Sequence, residues 1–147
     1  MSEVNTAICV VALVIGIQAL VWSLIFHRMR LQAEAIKTET RRSGEMIILG
    51  PVRANYQGWN GRFGVAKTAG TLALLDRRLL FKRPLGPDIV IPLADVSEVS
   101  DTVTLGSRKH TSEIYVSLKL RGESWVVFLV PNAGKWISAI SDRLVPA

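Results

Sequence analysis

The stretch Gly70-Thr71-Leu72-Ala73-Leu74-Leu75-Asp76-Arg77-Arg78-Leu79-Leu80-Phe81, GTLALLDRRLLF, decides the fold of this 147-residue chain. Two short apolar runs, 71–75 and 79–82, flank the polar triplet 76–78. Short apolar runs around a polar turn are typical of two antiparallel strands joined by a tight hairpin. The stretch therefore predicts a β-hairpin, and with it a domain built mainly from strands.

Further strands are predicted on both sides of this hairpin. The run 47–56 is a strand in which Pro51 suits an edge or a bulge. Other strands are expected at 89–93, irregularly across 96–105, and in a second hairpin of 113–120 and 125–130. After residue 131 the apolar spacing becomes helical. Asn132 is a suitable N-cap for a closing amphipathic helix that carries Trp136, Ile137, Ile140 and Leu144 on one face.

The amino-terminal part is apolar instead. Residues 7–26 contain no charged side chain, and about 20 helical residues cross the roughly 30 Å hydrocarbon core of a bilayer. A cleaved signal peptide is the alternative, with Ala33-Glu34-Ala35 as a small-x-small site. No basic residue precedes the run, and the run is longer than a usual signal segment. We expect an uncleaved transmembrane anchor at 1–26.

The flanks of the apolar run predict its orientation. Basic residues near the end of a transmembrane helix stay on the cytoplasmic side. Arg28, Arg30 and Lys37 follow the run, whereas only Glu3 precedes it. We therefore expect a single-pass protein of the plasma (inner) membrane, with its amino terminus outside and its globular domain cytoplasmic.

Residues 27–45 connect the anchor to the domain at 46–147. They include good helix formers and end at Ser43-Gly44, so we expect a short helical stalk. Met29, Leu31 and Ile36 do not form a continuous apolar stripe. The stalk is therefore expected to be solvated or interfacial rather than a coiled coil.

Charge and cysteine content limit the function classes. The net charge is +6, and residues 46–147 hold thirteen basic against eight acidic residues. A basic domain beside a membrane favours anionic headgroups as its partner. No nucleic acid is expected, because no recognition-helix or base-stacking motif accompanies the charge. The single cysteine, Cys9, lies in the apolar run, so one chain has no disulfide framework.

The stretch Gly61–Thr68, GRFGVAKT, approaches a phosphate-binding loop of the form G-x-x-x-x-G-K-[ST]. Ala66 replaces the second glycine, and a strand rather than a helix is predicted to follow Lys67-Thr68. Such a loop needs the helix, whose amino-terminal end faces the phosphate. We therefore expect no nucleotide site. His27 and His110 are too far apart in kind and place to argue for a metal pair, and no nucleophile with a partnered base is visible, so we also expect no metal site, no other cofactor, no catalytic residue and no enzymatic activity.

The same loop has a second possible chemistry. Aromatic rings beside cations suit the interfacial zone of a bilayer. Alternatively, the rings fold inward and cap the core. The candidate lipid or partner contacts are Trp59, Arg62, Phe63, Lys67, Arg77 and Arg78.

Two motifs resemble a known family. The hairpin 70–81 is similar to the "G-x-L-x-L-T-x-x-R-L-x-F" pattern of pleckstrin-homology-like (PH-like) domains of the GRAM and bacterial PH-like branch, and Ile91–Val99 is similar to its "I-P-L-x-D-I-x-x-V" segment. The resemblance implies a barrel of two bent antiparallel sheets capped by a carboxyl-terminal helix. It also implies a domain that binds phosphoinositides, peptides or proteins. Arg53, Arg62 and Lys67 fill the family's basic lipid-binding pattern only loosely.

The expected function is a non-catalytic, membrane-anchored binding or adaptor module that contacts anionic lipid headgroups. The alternative is a protein- or peptide-binding subunit of a membrane complex. The sequence does not name the partner or the oligomeric state.

Overall fold

The computed structural model describes residues 2–58, 67–105, 108–122 and 124–144, and for 103–105 and 108–111 it describes the backbone alone. Two helices and nine strands are assigned in these ranges. They are α1 (Glu3–Ser43), β1 (Ile47–Tyr56), β2 (Thr68–Leu75), β3 (Arg78–Lys82), β4 (Ile89–Pro92), β5 (Val96–Ser100), β6 (Thr102–Leu105), β7 (Arg108–Thr111), β8 (Tyr115–Leu120), β9 (Trp125–Leu129) and α2 (Ala133–Ser141), with a 3-10 turn at Leu93–Asp95. The predicted hairpins, the strand at 47–56 and the closing helix are confirmed.

Seven strands form one antiparallel sheet in the order β4-β3-β2-β1-β9-β8-β5, and β6 and β7 form a separate hairpin. The sheet is strongly curved. Phe81 on β3 and Phe128 on β9 are three strands apart, or about 14 Å in a flat sheet, yet their ring centroids are 5.3 Å apart. Tyr56 packs against both rings. These seven strands form one hydrogen-bonded sheet rather than the two bent sheets that the family resemblance implies.

The main core lies inside this curve, where α2 closes it with Trp136 and Ile140. Asn132 precedes the helix as predicted but makes no side-chain cap, because it adopts the left-handed conformation with φ 56°. The strand predicted at 113–120 begins only at Tyr115, and Ile114 lies in the preceding turn and is exposed.

Two residues show how β1 and β2 fit into the sheet. The register of β1 shifts between Leu49 and Val52, so the predicted bulge at Pro51 is confirmed. Strand β1 pairs with β9 at Asn55 and Tyr56, beyond Pro51, so the predicted edge position of Pro51 agrees with the sheet as well. Gly70 on β2 lies so close to β3 that a Cβ would meet the carbonyl oxygen of Lys82 and the ring of Phe81. The hairpin therefore requires glycine there.

Helix α1 continues without a break through the expected boundary at residue 26 and ends at Gly44, whose φ of 71° is the left-handed C-cap conformation. It is the one described helix long and apolar enough to cross a membrane. Its apolar window is fully exposed in the chain. Its carboxyl-terminal part contacts the outer face of the sheet.

Candidate functional site

The contact between α1 and the sheet sets the position of the sheet relative to the helix, and we call it the seam. It consists of Ile36 from the helix with Ala73, Leu75 and Leu80 from β2 and β3, bordered by Ile47. Ile36 is 0% exposed. The expectation of a solvated or interfacial stalk is therefore wrong for this face of the helix, which is buried on the sheet.

A hydrogen bond lies on the amino-terminal side of the seam. The hydroxyl of Thr71 on β2 donates to Oε1 of Gln32 at 3.0 Å. Thr40, four residues after Ile36, is buried as well, and its hydroxyl donates to the helix carbonyl of Ile36. The polar groups along this face of α1 are thus satisfied, as burial requires.

An ion-pair cluster lies along the β3 border of the seam. Arg78 holds the Glu45 carboxylate through Nε at 3.0 Å and through its terminal nitrogen at 2.8 Å, and it reaches Glu39 at 3.2 Å. Lys82 bridges Glu39 at 3.1 Å and Asp88 at 2.9 Å. Each cation has two acidic partners, so the cluster ties both ends of β3 to the helix and its C-terminal flank.

The cluster shifts the pKa values of three of its members. Burial would raise the pKa of Glu39, but hydrogen bonds and charges from Lys82 and Arg78 outweigh it and hold that pKa below its ordinary value. The hydrogen bond to Glu45 raises the pKa of Arg78. Burial would lower the pKa of Lys82, but Asp88 and Glu39 raise it. These three groups are therefore charged at neutral pH.

The seam also fixes the direction of the sheet relative to the helix. Thr71 lies beside Gln32, and after both elements end, the amide of Asp76 donates to the carbonyl of Met46. The eleven helical residues from Gln32 to Ser43 rise about 16 Å, and the five strand residues from Thr71 to Asp76 rise about 17 Å. Helix α1 and strand β2 therefore run in the same general direction.

This direction places one end of the β1–β4 half of the sheet beside the apolar segment. Lys67 lies four residues before Thr71, or about 13 Å along β2, whereas Phe26 lies six residues before Gln32, or about 9 Å along the helix. Because Lys82 pairs with Thr71, the β3–β4 connection lies at the same end. We call this end, made by residues 57–58, 67 and 83–88, the loop end.

The loop end exposes apolar and basic groups together. Leu85, in the β3–β4 connection, is 79% exposed. Lys67 is exposed, and Arg83 donates from Nε to the carbonyl of Pro87 at 2.7 Å, which orders that connection. The acidic residue of this end, Asp88, is paired with Lys82. The loop end is therefore basic.

Two open grooves flank α1 above its apolar segment. The groove on the β1 side is lined by Phe26, Met29, Arg30, Ala33, Pro51, Val52, Arg53 and Thr71. The groove on the β3 side is lined by Arg28, Leu31, Gln32, Ala35, Lys82 and Pro84. A third groove, away from the helix, is lined by Arg53, Ala54, Asn55, Ile114, Leu129, Val130 and Pro131.

The six candidate contacts fall into three groups. Trp59, Arg62 and Phe63 lie outside the described residues. Lys67 is described and exposed at the loop end. Arg77 and Arg78 lie at the opposite end of the sheet, where Arg78 is held in the ion-pair cluster and Arg77 is exposed. The structure thus separates Lys67 from the two arginines.

The phosphate-loop question is settled in one respect. Strand β2 begins at Thr68, so no helix begins at the lysine, as predicted. Among the described residues, no group of three histidine, cysteine or acidic side chains is arranged to hold a metal ion.

Sequence reasoning missed the seam and its polar border. One signal could have revealed it. Residues 71–75 show no alternation of apolar and polar side chains, and all five are buried. A strand without alternation is one that is buried on both faces. The helix just upstream in the sequence is the element that can bury the outer face of β2.

Comparison with known proteins supports the fold alone. No protein-family model and no curated protein matches the sequence. Among solved structures, the crystal structure of the C-terminal domain of an unknown protein from Leishmania infantum is similar, with a TM-score of 0.51 at 14% identity. The match covers 76% of this chain and 98% of that one.

Proposed function

We propose that this chain is a single-pass, membrane-anchored and non-catalytic binding module whose PH-like domain holds its loop end against anionic lipid headgroups. The observation that carries the proposal is the seam. Because Ile36 is fully buried on the sheet, the domain does not swing on a solvated stalk. It is fixed to the helix that enters the bilayer.

The positions of the loop-end residues along the axis of α1 support a contact with headgroups. If Phe26 marks the edge of the hydrocarbon core, Lys67 extends along β2 to about that level, by the rises of helix and strand. Leu85 and Arg83 belong to the same end. An exposed leucine beside cations suits the layer between hydrocarbon and water, because the apolar group is buried there while the charges meet phosphate.

The loop between Gly58 and Lys67 agrees in composition. Its flanking residues Gly58 and Lys67 lie at the loop end, and its sequence includes Trp59, Arg62 and Phe63. Arg77 and Arg78 are not included as lipid contacts. They follow strand β2 at its far end, which lies about 25 Å from Phe26 along α1.

The membrane side follows from charge. Arg28 and Arg30 come directly after the apolar segment, whereas Glu3 stands alone before it. The basic flank favours a cytoplasmic domain, where anionic lipids attract a basic loop end.

The alternative, a protein- or peptide-binding subunit, has one observation in its favour. The third groove lies away from the helix, and its rim includes Ile114, which is 47% exposed. Crosslinked co-purification of the full-length protein tests it. A stoichiometric partner that an Ile114→Asp change releases would favour protein binding over lipid contact.

The direct test measures depth in nanodiscs with the full-length protein. A fragment that begins after α1 is unsuitable, because it would uncover Ala73, Leu75 and Leu80. A fluorophore is attached at Lys67→Cys, Leu85→Cys or Arg77→Cys in a Cys9→Ser background. A quencher is placed on the lipid headgroups.

We expect strong quenching at positions 67 and 85 and little at 77, because the last site lies about 25 Å along the helix from the apolar segment. Quenching should increase when zwitterionic lipid is partly replaced by anionic lipid, and it should weaken with salt. Equal quenching at all three sites, or none at 67 and 85, contradicts the proposal.

A further inference from the structure

We propose that the groove between α1 and β1 is a specific site for one anionic phospholipid, whose phosphodiester binds between Arg30 and Arg53. The inference rests on the proposed function, because it requires the apolar segment of α1 to lie in the bilayer. It concerns a different surface from the loop end.

The groove has the shape of a lipid site. It is open, with a volume of about 330 Å³. Met29 and Ala33 form its helix wall and Pro51 and Val52 its strand wall, while Phe26 lies at its base, where the apolar run ends. Apolar walls that lead into the hydrocarbon suit the glycerol backbone and the first carbons of an acyl chain.

Its two cations are at headgroup height. Arg30 follows Phe26 by four residues and therefore lies about 6 Å above it along the helix axis. Arg53 is the direct partner of Thr71 in the β1–β2 ladder, and Thr71 is beside Gln32, about 9 Å above Phe26. The polar layer on each side of a bilayer is about 5–8 Å thick, so both guanidinium groups can reach a phosphate in it.

Neither cation is neutralised within the described part of the chain. Arg30 and Arg53 are exposed and take part in no ion pair there. Guanidinium groups bind phosphate oxygens in a bidentate, charge-assisted manner. Two of them facing one groove therefore complement a phosphodiester that carries a net negative charge.

The groove on the β3 side provides the contrast. Its Lys82 is already bound to Glu39 and Asp88, so Arg28 is the remaining free cation on its described walls. The β1 groove thus holds the pair of available charges. A zwitterionic headgroup would bring its own cation towards them, so lipids without that cation are favoured.

Native mass spectrometry of the full-length protein in detergent tests the site, with phosphatidylglycerol and phosphatidylcholine as probes. We expect one phosphatidylglycerol to be retained per chain in preference to phosphatidylcholine. The double variant Arg30→Gln/Arg53→Gln should weaken phosphatidylglycerol binding about tenfold or more, because each charge-assisted contact is lost.

The matched control is Arg41→Gln/Arg77→Gln, which removes the same charge from exposed residues in the last turn of α1 and at the far end of the sheet. It should change binding less than about twofold. Arg30→Lys/Arg53→Lys keeps the charge and should lie between the wild type and the glutamine variant. Far-UV circular dichroism of each variant distinguishes loss of the guanidinium contacts from misfolding.

Unchanged phosphatidylglycerol binding in the glutamine variant, or an equal loss in the control, overturns the groove. That result leaves the loop-end proposal intact if the probes at positions 67 and 85 are quenched. If those probes are not quenched while the groove variant loses binding, the loop-end contact fails and the groove stands.

Discussion

Truncating Ile36 at Cβ tests how much the seam contributes to the free energy of unfolding. The side chain has no exposed surface and packs on Ala73, Leu75 and Leu80. Ile36→Ala deletes three carbon atoms, which at about 0.8 kcal/mol each amounts to roughly 2.4 kcal/mol of transfer free energy. The cavity left behind adds to this, although a small cluster at the edge of the domain can partly collapse. We expect a loss of about 2–3 kcal/mol, near the lower end of such substitutions.

The assay is urea unfolding of the full-length protein in detergent micelles, followed by far-UV circular dichroism and tryptophan fluorescence. With a denaturant slope of about 1.5 kcal/mol per molar urea, the midpoint should fall by about 1–2 M. Leu31→Ala is the matched control, because Leu31 has the same number of side-chain atoms on the same helix but is 55% exposed. Its expected loss is below about 0.5 kcal/mol.

Refutation would take one of two forms. The first is an Ile36→Ala midpoint within error of the wild type, which would mean that the helix does not contribute to the stability of the sheet. The second is an equal loss in Leu31→Ala, which would point to a general effect on the helix rather than to burial at the seam.

Three further outcomes are expected from the seam and the hairpin. Arg78→Met removes the cation that holds the partly buried Glu45 carboxylate, while Glu39 keeps Lys82, and it should destabilise the domain by about 1–2 kcal/mol. Arg77→Gln, at an exposed neighbour, should change little. Urea midpoints compare the two variants, and equal midpoints count against the cluster. The folded-state pKa of Glu39 is depressed, so the stability that its ionised form contributes is present above its unfolded pKa and is lost as pH falls through the folded value. The melting temperature should therefore decrease at pH values below about 4. A flat profile in that range, or one that Glu39→Gln leaves unaltered, contradicts this. Gly70→Ala forces a Cβ into β3 and should lower the free energy of unfolding by about 2 kcal/mol or more. Gly134→Ala, in open space on a helix, should be neutral or stabilising by up to about 1 kcal/mol. Similar urea midpoints for the two variants would refute the close approach.

The β-domain could be predicted from the sequence because its signals are local. GTLALLDRRLLF contains both strands of a hairpin and its turn, and the structure forms that hairpin from β2 and β3. The rejection of a phosphate loop depended on the residues immediately after Lys67, which is also a local signal. The change of apolar period after residue 131 identified α2 for the same reason.

The seam could not be predicted in this way because its partners are distant in sequence and its borders are polar. Gln32 meets Thr71, and Glu39 meets Arg78, each across 39 residues. Ile36 is the one large apolar side chain between residues 32 and 43 of the helix, and the small Ala73 gives it room on the strand. Taken singly, these residues are typical of a solvated helix and a solvated turn. Only the docked helix joins them into one surface.

The central claim is that α1 is docked on the sheet while its apolar segment is in a membrane. The most direct measurement is crosslinking in native membranes with a short bifunctional thiol reagent, in a Cys9→Ser background. Gln32→Cys with Thr71→Cys should crosslink efficiently, because the native side chains are 3.0 Å apart. Glu34→Cys with Thr71→Cys should not, because Glu34 is on the exposed face of the helix. Equal crosslinking of the two pairs, or none in the first, would contradict the docked arrangement.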